Sequence, residues 1–538
     1  MKTRMRRTMM HGVLFYIFVL LALSFTALPG AAMPRARASD LGLSRDEGFA
    51  AIDRYVEQEM RAARVPGLAL GIVQGDQIVH LNGFGVADPS GRPVTPQTPF
   101  IIGSTTKSMT AVAIMQLVEA GKLELDAPIQ RYLPWFHVAD PDASAHITLR
   151  HLLNHTSGLP TTTGEEFVNS ADMSDGAGAL EQRVRALSTA ELTAPVGTIW
   201  QYCNANYNVL GLIVQTVAGQ SYESYLQEHL FTPLAMRQTF TAQVDAQQHG
   251  MATGYRYWFG VPWPADLPYN RGDLPAGFVI STAEDMAHYL IAHLNAGRYQ
   301  DAAVLSPTGI AELHRPAVLI PGESDIFYGL GWYIMPTNGV PTVRHVGATA
   351  NFHANLVLVP ESGWGVVLLM NSNSAFLGRA RIDGIAVGVT SLLVGRAPPV
   401  AASFYDAIMF YFIILGVAAL QVVGIIRSMG KLRRWRTQPA RRPHGWRALV
   451  WHIGLPVVLN LIPAVVFLVG APQLFGPLSG LIYVAPDLGY IMVVSSVVGL
   501  GWSVLRTGLA FFVLRTRGAP IAVGVATSNR RSRDTGVE

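Results

Sequence analysis

Cysteine is almost absent from this chain of 538 residues, which contains only Cys203. A single cysteine excludes an internal disulfide and leaves an intermolecular bond as the one disulfide open to the chain. Charged residues are also scarce, at 14%, while hydrophobic residues reach 50% and the mean hydropathy is +0.28. This composition is too apolar for one soluble domain and too polar for a purely membrane-embedded protein, so it indicates a chain with both parts.

Several common catalytic motifs are missing as well. The sequence has no Gly-x-Ser-x-Gly nucleophile elbow, no Gly-rich phosphate loop and no His-Glu-x-x-His zinc motif. His146, His151 and His155 lie close together in the chain, so a metal site there is one alternative. No acidic or thiol ligand accompanies these histidines at a useful spacing, and we predict neither a metal nor a cofactor.

Long apolar runs occur near both ends of the chain. The run from residue 12 to about 28 follows a basic N-terminus and precedes small residues, which is typical of a secretory signal peptide. We assign residues 1–38 to this signal, with an uncleaved membrane anchor as the alternative. A membrane region is predicted over residues 401–513, because its three apolar stretches are long enough to cross a bilayer; they cover residues 408–426, 448–470 and 490–513.

Positive charge is concentrated where it sets membrane topology. The loop between the first two apolar stretches carries eight Lys and Arg residues, the loop 471–489 carries none, and the tail 514–538 is basic again. The positive-inside rule places the first loop and the tail in the cytoplasm and residues 39–400 outside it. Residues 39–400 contain 20 Lys and Arg against 32 Asp and Glu. We therefore expect no nucleic-acid partner, and contact between the basic loop and anionic lipid.

The region 39–400 has strand patterns at both ends and helix patterns between them. Apolar periodicity predicts helices over residues 45–63, 107–120, 204–218 and 283–296. Hairpin patterns cover residues 68–81 and 354–370, and two further strands are predicted around residues 333–335 and 342–344. This order predicts an α+β domain whose antiparallel sheet is made by bringing the two ends together.

Ser104 and Lys107 stand at the start of the predicted helix 107–120 in the tetrad Ser-Thr-Thr-Lys. They are three positions apart in the chain, so both side chains lie on one helical face. A serine hydroxyl needs a neighbouring group to take its proton before it becomes a good nucleophile. A serine near a helix start is commonly only an N-cap, so the tetrad alone does not identify a nucleophile.

Five further stretches accompany this tetrad. They cover residues 147–160 (with His155-Thr156-Ser157-Gly158), 200–207 (with Tyr202-Cys203-Asn204), 231–236, 275–286 and 345–348 (His345-Val346-Gly347-Ala348). In this order and at these separations, residues 45 to 395 resemble the class C β-lactamase-related serine hydrolases, a family that includes penicillin-binding proteins, D-amino-acid peptidases and esterases. The resemblance implies a β-lactamase/DD-peptidase-like fold, with a helical subdomain beside the antiparallel sheet and its flanking helices.

The resemblance also implies roles for individual residues. Ser104 corresponds to the nucleophile that forms an acyl-enzyme, Lys107 to its proton-network partner, and Tyr202 to the general base or its helper. Asn204 corresponds to the residue that holds the substrate amide or the lysine. A tyrosine acts as a base at neutral pH only if cationic neighbours depress its pKa, so a general-base role for Tyr202 depends on such a depression.

The third motif, His345-x-Gly347, corresponds to a substrate-binding strand beside the site. The backbone N–H groups of Ser104 and Ala348 would form the oxyanion hole. Most β-lactamases of this group carry lysine where this chain has His345, and histidine is mostly neutral near pH 7. This departure favours the peptidase and esterase branches over a true β-lactamase. Cys203 fills the variable position of the Tyr-x-Asn motif, where a small buried filler is expected.

The sequence therefore predicts a multi-pass membrane protein with an extracytoplasmic serine hydrolase domain. Its expected substrates are D-amino-acid peptides of cell-wall origin, other small amides, or esters. The alternative is a catalytically silent, penicillin-binding-like receptor or scaffold on the same fold. A transport role for the membrane helices is a further alternative, which their lack of acidic residues disfavours.

Overall fold

The computed structural model describes residues 45–163, 176, 178–374, 379–400, 404–472 and 478–515. The predicted signal peptide and most of the predicted basic tail lie outside the described residues. The described chain divides into two compact units. One unit extends to Ile413 and includes the stretch Gln473–Tyr490, and the other comprises Ile414–Pro472 and the residues from Ile491 onward.

Fifteen strands lie in the described residues of the first unit. They are β1 Gly67–Gln74, β2 Gln77–Gly85, β3 Phe100–Ile101, β4 Tyr255–Trp258, β5 Val261–Pro264, β6 Ile280–Ser281, β7 Arg298–Tyr299, β8 Ala302–Ala303, β9 Val318–Leu319, β10 Phe327–Tyr328, β11 Tyr333–Thr337, β12 Val340–Ala348, β13 His353–Val359, β14 Trp364–Met370 and β15 Ser372–Asn373.

The helices of the same region begin before β1 and end after β15. They are α1 Arg45–Ala63, α2 Thr106–Glu119, α3 Pro141–His146, α4 Leu149–Leu153, α5 Ala179–Arg185, α6 Asn204–Ala218, α7 Tyr222–Leu226, α8 Gln243–Gln248, α9 Leu274–Gly277, α10 Ala283–Leu294, α11 Pro307–Leu313 and α12 Arg379–Leu393. Short 3₁₀ turns connect several of them, including Gly103–Thr105 immediately before α2.

The main sheet has eight strands in the order β2-β1-β14-β13-β12-β11-β10-β9, and every neighbouring pair in it is antiparallel. The pairing of β1 with β14 joins the two ends of the domain, with Leu68 opposite Met370. The predicted hairpins, the two further strands and the antiparallel sheet made from both ends are confirmed. The four predicted helices are confirmed as α1, α2, α6 and α10, each within two residues of its predicted bounds.

Strands β1, β13 and β14 are buried on both faces of the sheet, because their consecutive apolar side chains point alternately to one face and the other. Leu68, Leu70 and Ile72 of β1 face a core completed by α1 and α12. Ala69 and Val73 face the larger core, which contains α2, α6 and α10. The helix α2 is buried over most of its length, from Thr106 to Met115 and at Leu117, so its first turn is held rigidly.

Three helices near the C-terminus are long and apolar enough to span a membrane. The first candidate span, Tyr411–Thr437, lies within α13 (Phe404–Thr437). The second span is α14 (Trp446–Gly470), and the third is α16 (Pro486–Arg515). The short helix α15 (Leu478–Val484) lies between the second and third spans. These spans confirm the three predicted apolar helices. The helices that contain them extend beyond the predicted bounds, because the helical hydrogen bonding continues into the flanking polar residues. The predicted domain boundary at residue 400 stays a prediction.

Candidate active site

The site begins where the chain turns from β3 into α2. Gly103 has a φ of +56°, a left-handed conformation that glycine adopts at little cost. Ser104 follows in the 3₁₀ turn and is partly exposed, whereas Lys107 is fully buried in the first turn of α2. The Lys107 ammonium donates to Ser104 Oγ at 3.0 Å, to Asn204 Oδ1 at 2.8 Å and to the Ala276 carbonyl at 2.5 Å.

Burial changes the acidity of Lys107. Removal from water disfavours the ammonium and lowers the Lys107 pKa to about 7, although the nearby Cys203 and the buried Asp273 carboxylate oppose that shift. Asp273 is held by hydrogen bonds from Asn208 and Asn270 and by Arg183 at 3.5 Å. Near neutral pH, Lys107 is therefore divided between its charged and neutral forms.

Tyr202 and Asn204 reach the same site because Cys203 between them is extended, with φ −143° and ψ 122°. Side chains two residues apart on an extended segment face the same side. The Tyr202 hydroxyl is hydrogen-bonded to Ser104, and Lys107 Nζ lies 4.9 Å from the Tyr202 ring centroid. Cys203 itself is fully buried in the core, as a small filler would be.

The depressed pKa that a Tyr202 base would need is not found at this phenol. Burial raises the pKa of the phenol well above its ordinary value, and the neighbouring Tyr333 raises it further; only the hydrogen bond with Ser104 acts in the opposite direction. The sequence could not show this, because the cost of removing the phenolate from water depends on packing by distant residues.

The strand β12 approaches the start of α2 very closely. A Cβ atom added at Gly347 would lie 1.9 Å from the Ile102 carbonyl oxygen and 3.2 Å from the Ser104 nitrogen. A Cβ added at Gly103 would lie 2.4 Å from the Ala348 nitrogen. The two glycines thus allow the backbone N–H groups of Ser104 and Ala348 to be neighbours, as the predicted oxyanion hole requires.

His345 is 1% exposed and lies in the wall of the site. Its Nδ1 atom is 2.8 Å from the Val346 carbonyl, and its Nε2 atom is 3.0 Å from the Tyr328 hydroxyl. Burial and then the Lys107 charge lower the His345 pKa to about 3. The neutral ring therefore donates from Nδ1 and accepts at Nε2, so this position supplies no positive charge for a substrate carboxylate.

His155 is a site neighbour that the sequence did not assign to the chemistry. It has a φ of +60°, and its ring centroid lies 4.4 Å from that of Tyr202. The Cys203 N–H and the Asn206 amide both donate toward His155 Nδ1, at 3.2 and 3.1 Å. The packing against Tyr202 depends on the turn after α4, which the motif His155-Thr156-Ser157-Gly158 alone does not reveal. In the described parts of the chain, no group of three histidine, cysteine or acidic side chains could hold a metal.

These groups open onto one cleft of about 800 Å³. One end of the cleft is lined by the predicted site residues Ser104, Tyr202, Asn204, His345 and Ala348. Its other end reaches α1 and α12, where Arg381 Nε lies 2.9 Å from the Glu59 carboxylate. The structure therefore brings all seven predicted site residues to one place, whereas their chemical roles remain predictions.

Comparisons with known proteins identify relatives of this chain. The chain is 29% identical to Protein flp of Staphylococcus aureus (strain MW2) over 330 residues, which are 61% of this chain and 64% of that protein. It thus spans just under two thirds of the length of the Flp proteins. Penicillin-binding protein 4 of Amycolatopsis lactamdurans is 34% identical over 322 residues, covering 58% of this chain and 82% of that protein.

A solved structure, that of the octameric penicillin-binding protein homologue from Pyrococcus abyssi, superposes with a TM-score of 0.58. It is 28% identical and covers 65% of this chain and 78% of that one. The family model described as Beta-lactamase matches residues 52–389, which is more than half of the chain and includes every predicted site residue. The chain therefore belongs to the Beta-lactamase family, with three candidate membrane-spanning helices after the family domain.

Proposed function

We propose that this protein is a membrane-anchored, extracytoplasmic serine hydrolase that acts through a covalent acyl-enzyme. The observation that carries the proposal is the contact of 3.0 Å between Ser104 Oγ and the buried Lys107 amine, whose pKa is lowered to about 7. A serine next to an amine that is partly neutral has both a nucleophile and a base at physiological pH.

The hydrogen bonds of Lys107 support its role as that base. Asn204 Oδ1 and the Ala276 carbonyl are acceptors only, so they take two N–H groups of the amine in either protonation state. Only in the hydrogen bond with Ser104 can the donor and the acceptor exchange roles. In the neutral amine the lone pair points at Ser104 Oγ and accepts the hydroxyl proton as the oxygen attacks the substrate carbonyl.

Tyr202 stays a phenol at neutral pH because burial raises its pKa. A neutral phenol that is hydrogen-bonded to Ser104 cannot act as the general base, but it can relay a proton from one group to another. We assign Tyr202 to proton transfer between the Ser104–Lys107 pair and the leaving group, with the phenol donating one proton as it receives another. This assignment differs from a phenolate base and makes Lys107 the group whose titration controls acylation.

The remaining steps use the close approach of β12 to α2. The N–H groups of Ser104 and Ala348 would stabilise the negative charge that develops on the carbonyl oxygen. After the leaving group departs with a proton, water enters, gives a proton to neutral Lys107 and attacks the acyl carbon. Collapse of that intermediate breaks the ester bond and returns a proton to Ser104.

The substrates we propose are D-amino-acid peptides, other small amides, or esters. The neutral His345 gives no fixed cation on the third-motif strand, which weakens the case for β-lactams and favours the peptidase and esterase branches. A cell-wall origin of the peptide is supported by the names of relatives such as Penicillin-binding protein 4 of Amycolatopsis lactamdurans.

Membrane anchorage and orientation are part of the same proposal. Three helices have the length and apolarity of membrane spans. The loop between the first two spans is basic, whereas the loop before the third span contains no Lys or Arg. This distribution supports a cytoplasmic first loop and an external hydrolase domain.

A covalent probe tests the nucleophile. A fluorophosphonate or a fluorescent penicillin should label the full-length protein in membranes and fail to label Ser104→Ala. Ser108→Ala is the matched control, because Ser108 lies in the first turn of α2, four positions after Ser104, but its hydroxyl donates to the Thr105 carbonyl. Equal labelling of the wild type and Ser104→Ala would refute the assignment.

Turnover separates the hydrolase from a receptor on the same fold. A chromogenic ester or a D-alanyl amide should be hydrolysed in many cycles by the wild type and not by Ser104→Ala. A stable adduct at Ser104 without turnover would instead support the receptor alternative.

A further inference from the structure

The hairpin β4–β5 exposes apolar side chains at its end. Phe259, Val261 and Trp263 have 50%, 44% and 58% of their surface exposed. Among the described residues before the membrane helices, only seven large hydrophobic side chains are exposed, and three of them belong to this stretch of five residues. We call residues 259–263 the hairpin tip. Single exposed apolar residues are ordinary, whereas a contiguous group marks an interaction surface.

The backbone of the hairpin tip is unusual. Trp258 pairs with Val261, so Phe259 and Gly260 form a two-residue turn, with φ values of +49° and +75°. Asparagine, aspartate and glycine are preferred in such turns because they tolerate positive φ, and a bulky side chain there is strained. Phenylalanine at this position is not explained by turn geometry, so another interaction has to favour it.

The hairpin tip is held by residues that begin two of the candidate membrane spans, within the same compact unit. The Phe259 N–H donates to Asp487 Oδ2 at 2.7 Å, and the Tyr411 hydroxyl donates to the same oxygen at 2.6 Å. The rings of Trp258 and Tyr490 stack with centroids 6.1 Å apart. Tyr411 is the first residue of one span, and Asp487 and Tyr490 lie in the first turns of another.

We propose that the hairpin tip inserts into the interfacial layer of the lipid bilayer and fixes the hydrolase domain against the membrane surface. A membrane span begins at that layer, so side chains bonded to the first turns of two spans lie at the same depth. Tryptophan and other aromatic residues are favoured there, because their rings are apolar and their edges tolerate water. The inference rests on the proposed membrane anchorage.

Site-directed fluorescence quenching tests this in the full-length protein. The native Cys203 is fully buried, so the unsubstituted protein controls for background labelling. The Trp263→Cys variant is labelled at residue 263 with nitrobenzoxadiazole and reconstituted into phosphatidylcholine–phosphatidylglycerol vesicles. Doxyl lipids quench a label that lies in the bilayer, and aqueous iodide quenches a label that is exposed to water. Val244→Cys, with 60% of its surface exposed on α8, is the aqueous control, and Val504→Cys, 76% exposed in the third span, is the lipid control.

Quenching by shallow doxyl lipid should be about threefold stronger at residue 263 than at residue 244, with iodide quenching reduced by a similar factor. Iodide quenching at residue 263 equal to that at residue 244, with residue 504 still quenched by lipid, would overturn the insertion and leave the anchorage intact. A label at residue 263 shielded from both quenchers would mean a protein contact and would also overturn it. If residue 504 is not quenched by lipid, the anchorage itself fails.

Discussion

The Beta-lactamase family domain and the C-terminal helices each contain a lysine or arginine that is at most 2% exposed, and these two side chains are bonded differently. In the family domain, Lys107 is fully buried and contacts two obligate acceptors and one hydroxyl, Ser104 Oγ. In the candidate membrane-spanning helices, Arg506 is 2% exposed. It donates from Nε to Ser428 Oγ at 2.9 Å and from its two terminal nitrogens to the carbonyls of His452 and Ile453.

The difference lies in what the partners permit. Arginine cannot lose its proton in a protein, so the contacts of Arg506 are fixed and join the second and third spans to the first. Lysine loses its proton when burial makes the ammonium costly. Burial of a basic residue is therefore a sign of chemistry only where the residue can become neutral and one partner can reverse its hydrogen bond.

Replacing Lys107 or Arg506 by methionine should give the largest difference in kcat/KM between the two regions. Lys107→Met should lower kcat/KM for a chromogenic ester by about 10²–10⁴-fold, since it removes the general base. Arg506→Met should leave kcat/KM within about twofold and lower the thermal stability of the membrane region, because three bonds between spans are lost. Steady-state kinetics and thermal melts in detergent measure both. A comparable kinetic loss in the two variants would remove the distinction between the regions.

Crowding the oxyanion hole should have the next largest effect. Gly347→Ala places a Cβ 1.9 Å from the Ile102 carbonyl, so β12 must move away from α2. We expect a loss of about 10²-fold in kcat, with about 1–3 kcal/mol of destabilisation. Gly48→Ala is the control, since nothing lies within 4 Å of the added atom in α1. An unchanged kcat in Gly347→Ala would show that the proposed oxyanion hole is not used.

The pH dependence should sharpen the assignment of the base. Acylation requires neutral Lys107, and the neutral fraction rises with pH, so the probe-labelling rate should increase through a midpoint near pH 7 and level off above it. His345→Gln should keep that midpoint, because the His345 pKa of about 3 lies far below it. If the midpoint disappeared in His345→Gln, the group that titrates near pH 7 would be His345 and not Lys107.

The smallest expected effect is a shift of that midpoint. The negative charge of Asp273 favours the Lys107 ammonium, so Asp273→Asn should lower the Lys107 pKa and move the acid limb to lower pH. A shift below about one pH unit is expected for one buried charge without direct contact. Labelling rates between pH 5 and 9 measure it, and a thermal melt verifies folding. A shift to higher pH would contradict the sign of this interaction.

Much of the fold could be predicted because its signals are local. Helical periodicity gave α1, α2, α6 and α10, and turn residues between apolar runs gave the β1–β2 and β13–β14 hairpins. The two-residue strands β3 and β6 carry no such signal, since they exist only through pairing across the chain. The seven site residues followed from resemblance to a family, and the structure brings them together.

The features that could not be predicted concern burial, which a sequence does not show. The pKa of Tyr202 is raised where a general base would need it depressed, because surrounding side chains exclude water from the phenol. An arginine such as Arg506, two turns from the end of an apolar stretch, would ordinarily extend toward the membrane surface. It turns inward here because the neighbouring spans offer it acceptors.

The pairing of Leu68 with Met370 has a consequence for biosynthesis. Until the ribosome has made β14, the N-terminal hairpin has no partner for one edge, and an open strand edge is a template for aggregation. One edge of that hairpin therefore stays unpaired through almost the whole synthesis of the family domain. The three candidate membrane-spanning helices follow that domain in the sequence, so they have not yet been made during this period.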